Sequence, residues 1–362
     1  MFFHAHSSIS SGSVWYQTWA AGAYLQKPYS HLKLMLQRSQ RVLTLEIQER
    51  TRLSGGFCHV ASTVTSQVNP HPLGKAQKGH SWTWIIRSYP LGLIDGEHMP
   101  IIQVGLHTIY YDDYGAGHPL LLIPGLGTSR FIWWKQIEII SRKYRLINMD
   151  NRDAGDSAPG TGPYTIAYMA DDAAGLIRNL KCGPTYVIGW SMGGFIAMEL
   201  SLRHPRLVDK LILVATSAGG SAYIPPAQEM GALLMPQEKE DLETVIRLVY
   251  PCIAAPGYMN SHPEDLDRVV RYAKSKPMPL SSYQRQLSAV MTWPGVADRM
   301  HRISLPTLVV HGAADPLVPY GNGLYLSTMI RGAKLLTYTN VGHLLPIEAS
   351  ERFNQDVMKF LG

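Results

Sequence analysis

The sequence predicts an α/β protein, a mostly parallel and doubly wound sheet with a helical insertion at its carboxyl edge. Three observations predict it. From about Met99, short apolar runs alternate with stretches of helical periodicity. The rhythm breaks over 219–301, a proline-rich segment with helical patches, and resumes at 302. The turns that open at Pro124, Gly189 and His311 follow apolar runs directly, as loops at the carboxyl ends of parallel strands do.

A chain of 362 residues has room for one large or two medium domains. With 46% hydrophobic and 17% charged residues it reads as soluble and globular. The net charge of +6 is unevenly placed: residues 1–98 carry 9 Lys/Arg against 4 Asp/Glu, and 99–362 carry 24 against 23. The main domain is therefore nearly neutral, and its basic pI is no argument for nucleic acid or membrane as partner. Cys58, Cys182 and Cys252 are far apart and form no C-x-x-C pair, which suits reduced thiols in the cytoplasm. The first 25 residues lack the early basic charge of a signal peptide, and no run reaches the ~18 apolar residues of a membrane span. A cytoplasmic protein is expected.

Residues 1–98 show no steady periodicity, hold seven of the fourteen histidines, and include polar clusters at Ser7–Ser13 and Asn69–Gly79. They are expected to be a poorly ordered basic extension, with a helix only over Leu32–Glu49; upstream sequence read through into the frame and a docking arm are both open readings. At Met99 the character changes, and this residue is expected to begin the functional domain. Met99–Val104 and His107–Asp113 read as strands around a Gly105 turn. Leu120–Ile123 is a strand, followed by a loop to Thr128 and a helix from Ser129. Tyr144–Met149 is a strand and Thr165–Leu180 a helix. Tyr186–Ile188 forms the central strand, and from Gly193 the apolar positions suit a buried helix that ends at His204-Pro205. Leu211–Ala215 is a fifth apolar strand. Helical patches at Glu240–Tyr250 and Pro263–Lys274 lie in the insertion. Then come a strand at Thr307–Val310, a helix near Tyr320–Ile330, a strand at Lys334–Tyr338 and a last helix over Ile347–Leu361. The expected division is a core of 99–218 and 302–362 with a cap of 219–301.

Chemistry concentrates at three loops. Gly189-Trp190-Ser191-Met192-Gly193 is a G-x-S-x-G sequence in a strand-to-helix turn, which forces the serine into a strained backbone conformation and exposes its hydroxyl at a helix N-terminus. A serine hydroxyl is a weak nucleophile, so it needs a base that is itself oriented by a third group. Asp315 follows the Thr307–Val310 strand and His343 follows the next one, so both loops belong to the edge that carries Ser191. Thr216-Ser217 after the fifth strand offers no carboxylate, which leaves Asp315 as the acid. His118, His204 and His311 have no such setting and are read as structural. Donors for an oxyanion are expected from the backbone N–H groups of Met192 and Leu126, with Gly125 and Trp190 beside the substrate.

These motifs, P-G-L-G at 124–127, D-N-R-D-A-G-D-S at 150–157, G-W-S-M-G-G, H-G-A-A-D-P-L-V-P and G-H-L-L-P, resemble the α/β-hydrolase superfamily from about Met99 to Gly362. They look most like its capped branch of serine carboxylesterases, methylesterases and enol-lactonases, with cofactor-free haloperoxidases. Pro124 stands where many members have histidine, and the serine nucleophile argues against haloalkane dehalogenases and epoxide hydrolases, which use aspartate. The resemblance implies a hydrolase that cleaves carboxylic esters, a small-molecule substrate class, through Ser191, His343 and Asp315, and an apolar pocket in the insertion would favour short- or medium-chain acyl groups. Lactone hydrolysis, C–C bond hydrolysis and perhydrolysis share this triad, and a ligand receptor on the same scaffold is the reading from outside catalysis. Arg152 and Asp156 are expected to tie down the 150–157 loop. Tyr223, Met230, Met235, Tyr250, Tyr258, Met259 and Trp293 either line an acyl pocket or pack the cap's own core. No nucleotide, phosphate or metal motif is present, so no cofactor and no metal are expected.

Overall fold

The computed structural model describes residues 101–105, 107–235 and 241–362, together with the backbone of five strands between 19 and 67. The chain divides into two units, Met1–Glu97 and His98–Gly362. In the first, β1 (Trp19–Ala20) pairs antiparallel with β2 (Ala23–Tyr24), and β3 (Leu36–Ser39), β4 (Val42–Leu53) and β5 (Gly56–Gln67) form an antiparallel sheet. The helix expected over Leu32–Glu49 is thus replaced by strands. Leu43, Leu45 and Ile47 alternate with Thr44, Glu46 and Gln48, a period of two that a strand satisfies and a helix does not. The Ser7–Ser13 and Asn69–Gly79 clusters and the Met99 start lie outside the described residues.

The second unit is built on one eight-stranded sheet. Its strands are β6 (Ile101–Val104), β7 (His107–Tyr114), β8 (Pro119–Ile123), β9 (Arg145–Met149), β10 (Thr185–Trp190), β11 (Val208–Val214), β12 (Thr307–Gly312) and β13 (Lys334–Tyr338). They lie in the order β13-β12-β11-β10-β8-β9-β7-β6. The six from β9 to β13 are parallel, and β7 runs opposite, pairing antiparallel with β6 and β9. The chain leaves β8 for β9 on one side and returns to β10 on the other. The loops after β8 and β10 therefore splay apart at the switch point, where open sheets of this kind hold their ligands.

Alternate side chains of the same strand enter opposite layers. Leu121 and Ile123 of β8 join a core under α2 (Ile166–Asn179) and α3 (Met192–Arg203), while Leu120 and Leu122 face α1 (Trp134–Ile140) and the C-terminal α11 (Ser350–Leu361). The helix expected from Ser129 begins as a 3-10 turn over Arg130–Trp133, capped by the Ser129 hydroxyl. α9 (Gly321–Met329) and the short α10 (Leu345–Glu348) complete the two layers.

The insertion carries α4 (Gln228–Ala232), α5 (Leu242–Ile253), α6 (Tyr258–Ser261), α7 (Pro263–Ser275) and α8 (Leu280–Met291). α5 continues past Pro251 for two residues, since a proline in a last turn forfeits a single helical hydrogen bond. Buried polar contacts bind this insertion to the core. The Asp153 carboxylate accepts from Ser282 at 2.8 Å and from Arg285, the Gln286 side chain donates to the Arg152 carbonyl at 2.9 Å, and Glu199 of α3 takes Trp293 Nε1 at 3.0 Å and Arg299 at 2.8 Å. Arg152 forms a buried pair with Asp172 of α2 at 2.7 Å, and Asp156 pairs with Arg130 at 3.0 Å and with Lys276. No helix among the described residues is long and apolar enough to cross a membrane.

Candidate active site

The turn from β10 into α3 sets the position of Ser191. Its backbone adopts φ 55° and ψ −121°, a left-handed conformation that costs a residue with a Cβ about 1–3 kcal/mol. Its neighbours compensate. The Ser191 N–H donates to the Val214 carbonyl at 2.9 Å, and the Ser191 carbonyl accepts from the Gly194 N–H and the Thr216 hydroxyl, both at 2.8 Å. A Cβ on Gly193 would strike the carbonyl oxygen of Ile123, so only glycine lets α3 start this close to β8.

The loops after β12 and β13 reach the same place. Asp315 is 5% exposed and His343 is 2% exposed. One oxygen of the Asp315 carboxylate accepts the N–H groups of Leu317 (3.0 Å) and Val318 (2.8 Å), which fixes its plane and leaves Oδ2 facing His343 Nδ1 at 2.9 Å. The other imidazole nitrogen, Nε2, lies 3.0 Å from Ser191 Oγ. With its proton on Nδ1, His343 donates to Asp315 and accepts from Ser191, the tautomer a general base requires.

The N–H groups of Leu126 and Met192 have no hydrogen-bond partner among the described residues, and both residues line the cavity that contains Ser191. The loop that carries Leu126 is clamped on three sides: Asn151 donates to the Pro124 carbonyl at 2.9 Å, Thr128 to the Gly125 carbonyl at 3.1 Å, and the Gly127 N–H donates to Gln286 of α8 at 3.0 Å. Gly125, expected beside the substrate, does not reach the cavity wall. A Cβ there would come within 3.0 Å of the Trp190 ring and 3.2 Å of the Ser191 Cβ, so its part is close packing behind the nucleophile. Trp190 does line the cavity, and its Nε1 also donates to the His343 carbonyl at 2.9 Å.

The cavity has a volume of about 480 Å³ and a largely apolar wall that includes Phe131, Phe195, Leu234, Ile246 and Val249. Of the insertion residues with two possible parts, Tyr223, Met235 and Tyr250 reach it. Met230, Tyr258, Met259 and Trp293 do not; Trp293, for example, stacks on Phe195 at 4.4 Å. Burial pushes the Tyr250 hydroxyl up to about 12, so it remains a neutral phenol.

The remaining histidines sit in structural contacts. His204 pairs with Asp171 at 2.6 Å, and His118 packs on Tyr186. His311 is fully buried, with Nε2 2.8 Å from the Val318 carbonyl, and desolvation holds it below its usual value despite Asp315 nearby. No group of three or more potential metal ligands occurs among the described residues.

Two contributors had no sequence signal. Gln286 holds the Leu126 loop through Gly127 across 159 positions. Glu348 Oε2 accepts the N–H of Gly342, beside the imidazole, at 2.9 Å and that of Ala255 in the cap at 2.8 Å. Burial raises the Glu348 carboxyl, outweighing those two backbone donors.

A parallel sheet in this strand order, with a serine on the β10–α3 turn and a cap over its edge, is the α/β-hydrolase architecture, and the chain belongs to that superfamily. Residues 118–262 match the model of the alpha/beta hydrolase fold family, and 284–362 match that of the TAP-like proteins. The 3-oxoadipate enol-lactonase 2 of Acinetobacter baylyi is 27% identical, over 69% of this chain and 91% of that one. A Rhizobium rhizogenes protein provisionally named a carbamate hydrolase, RutD, is 26% identical over 70% of this chain and 97% of its own. Among solved structures, the enol-lactonase of Burkholderia xenovorans superposes with a TM-score of 0.65 at 25% identity, covering 72% of this chain and 99% of that one.

Proposed function

We propose that the protein hydrolyses carboxylic esters through an acyl-enzyme. One observation carries the reading: the His343 imidazole stands between Ser191 Oγ at 3.0 Å and Asp315 Oδ2 at 2.9 Å. As Ser191 Oγ attacks the ester carbonyl, its proton passes to His343 Nε2. Asp315 holds the ring and stabilises the imidazolium. The carbonyl oxygen becomes an oxyanion that accepts from the free N–H groups of Met192 and Leu126, each such donor being worth about 2.7–4 kcal/mol of barrier. The imidazolium then protonates the departing alkoxide. In the second half His343 takes a proton from water, whose oxygen attacks the acyl carbon, and returns that proton to Ser191 Oγ as it leaves and the carboxylic acid forms.

The relatives named as enol-lactonases support a second reading, hydrolysis of a cyclic ester by the same steps, in which acyl and alcohol portions remain one product. Free Cys182 and Cys252 support a cytoplasmic setting. The test is Ser191→Ala, which is expected to remove turnover of p-nitrophenyl butyrate and of a lactone while leaving the thermal melt in place. Turnover within tenfold of the parent by this variant would remove Ser191 from the chemistry.

A further inference from the structure

Building on the esterase reading, we propose that the preferred substrate carries a medium-length rather than a short apolar acyl chain, which runs from Ser191 through the cap and leaves the protein between Leu242 and Leu280. The cavity that holds Ser191 and His343 also reaches these two leucines, although they are 38% and 41% exposed. Each stands at the first position of a cap helix, α5 and α8. Leucine at such a site gains little from the fold itself, since helix starts favour polar and acidic residues. The wall of the same cavity carries Ile246, Val249 and Val290.

The polar side chains on that wall are mostly engaged already. The Ser129 hydroxyl donates to Tyr272 at 2.7 Å, Tyr283 donates to the Leu234 carbonyl at 2.8 Å, Thr128 donates to the Gly125 carbonyl, and Lys276 is paired with Asp156. The hydroxyls of Tyr223 and Tyr250 remain. A substrate rich in hydroxyls or charge would be stripped of water with few partners in return, whereas a hydrocarbon chain needs none. The volume of about 480 Å³ is in the range of pockets that enclose a drug-sized ligand, ~300–1,000 Å³. A butyryl group would leave most of it unfilled. Each methylene buried along the path strengthens binding about fourfold.

The test compares p-nitrophenyl butyrate with p-nitrophenyl decanoate, kept below micelle formation, in the full-length protein and in Leu242→Glu/Leu280→Glu. An acid at the first position of a helix suits its dipole, so the substitutions leave the helices intact. The parent is expected to favour decanoate by at least a hundredfold in kcat/KM, and the double variant to lower that preference at least tenfold. A parent that favours butyrate, or a preference untouched in the double variant, overturns the proposal. Calorimetric titration of methyl decanoate into Ser191→Ala reads the chain path without turnover. Binding that the two glutamates weaken tenfold supports it even where no ester is cleaved, which separates its fate from that of the esterase reading. Absent binding overturns it.

Discussion

Asp315→Asn removes one charge beside the base and turns the acceptor that faces Nδ1 into a donor, with almost no change in shape. The Asp315–His343 contact is 2.9 Å, and both residues are nearly inaccessible to solvent. At an effective dielectric of about 20, a full negative and a full positive charge at that separation attract by about 6 kcal/mol. The imidazolium charge is spread over its ring, so the part lost from the transition state corresponds to a rate decrease of about 10³- to 10⁴-fold. The amide oxygen of asparagine can still accept the Leu317 and Val318 N–H groups, which keeps the loop in place. Its NH₂ then faces Nδ1 and drives the proton to Nε2, the wrong tautomer for a base. The assay is kcat for p-nitrophenyl butyrate near pH 8, with a circular-dichroism melt on the same sample. A kcat within tenfold of the parent and an unchanged melt would refute the reasoning, because Thr216-Ser217 at the end of β11 supplies no replacement carboxylate.

Three further outcomes are expected. Glu348→Ala strands the Gly342 and Ala255 N–H groups, at about 1–3 kcal/mol each, so the melting temperature and kcat should fall together, while Glu348→Gln, which keeps a carbonyl acceptor, should recover most of the stability; urea titration and steady-state rates check both. Burial alone would raise the Asp153 carboxyl, yet Arg285, the Gly160 N–H and Ser282 hold it below its ordinary 3.8, so its stabilisation is complete above that value and is lost as pH falls through the lower folded one. Asp153→Asn, which tolerates the φ of 69°, should therefore be less stable than the parent at neutral pH and lose less on acidification, measured by melts from pH 7 to 2.5. Gly193→Ala should give little folded protein on expression, because the added methyl meets the Ile123 carbonyl in a rigid strand; a soluble protein with parental melting would contradict the close approach of α3 to β8.

The parts of this molecule that could be read from sequence share one property, namely that their signal is local. β10 is a continuous apolar run because both of its faces are covered, and the glycines around Ser191 record a turn too tight for side chains. Asp315 and His343 could be placed because each follows a strand within a few residues, and a parallel sheet sends all such loops to one edge. Within Leu32–Glu49 the structure has strands in place of the expected helix, because Leu43, Leu45 and Ile47 recur at every second position. Gln286 and Glu348 were invisible for a different reason. Each is one polar residue on a helix whose contact across the cap boundary reaches a segment 159 or 93 positions away, so no spacing records it.

Those silent contacts link the cap to the base. The His343 N–H donates to the Ile253 carbonyl at 2.8 Å at the end of α5, Ala255 and Gly342 share the Glu348 carboxylate, and a Cβ on Gly342 would collide with the Ala255 N–H. The 253–255 segment and the imidazole loop are thereby packed backbone to backbone. A displacement of α5 large enough to admit a bulkier chain has to move His343 as well, or break the two hydrogen bonds that cross from this segment to His343 and Glu348. Substrate fit in the cap and the 3.0 Å approach of Nε2 to Ser191 Oγ are set by one piece of structure, so cap substitutions near Ile253 should alter kcat as well as KM.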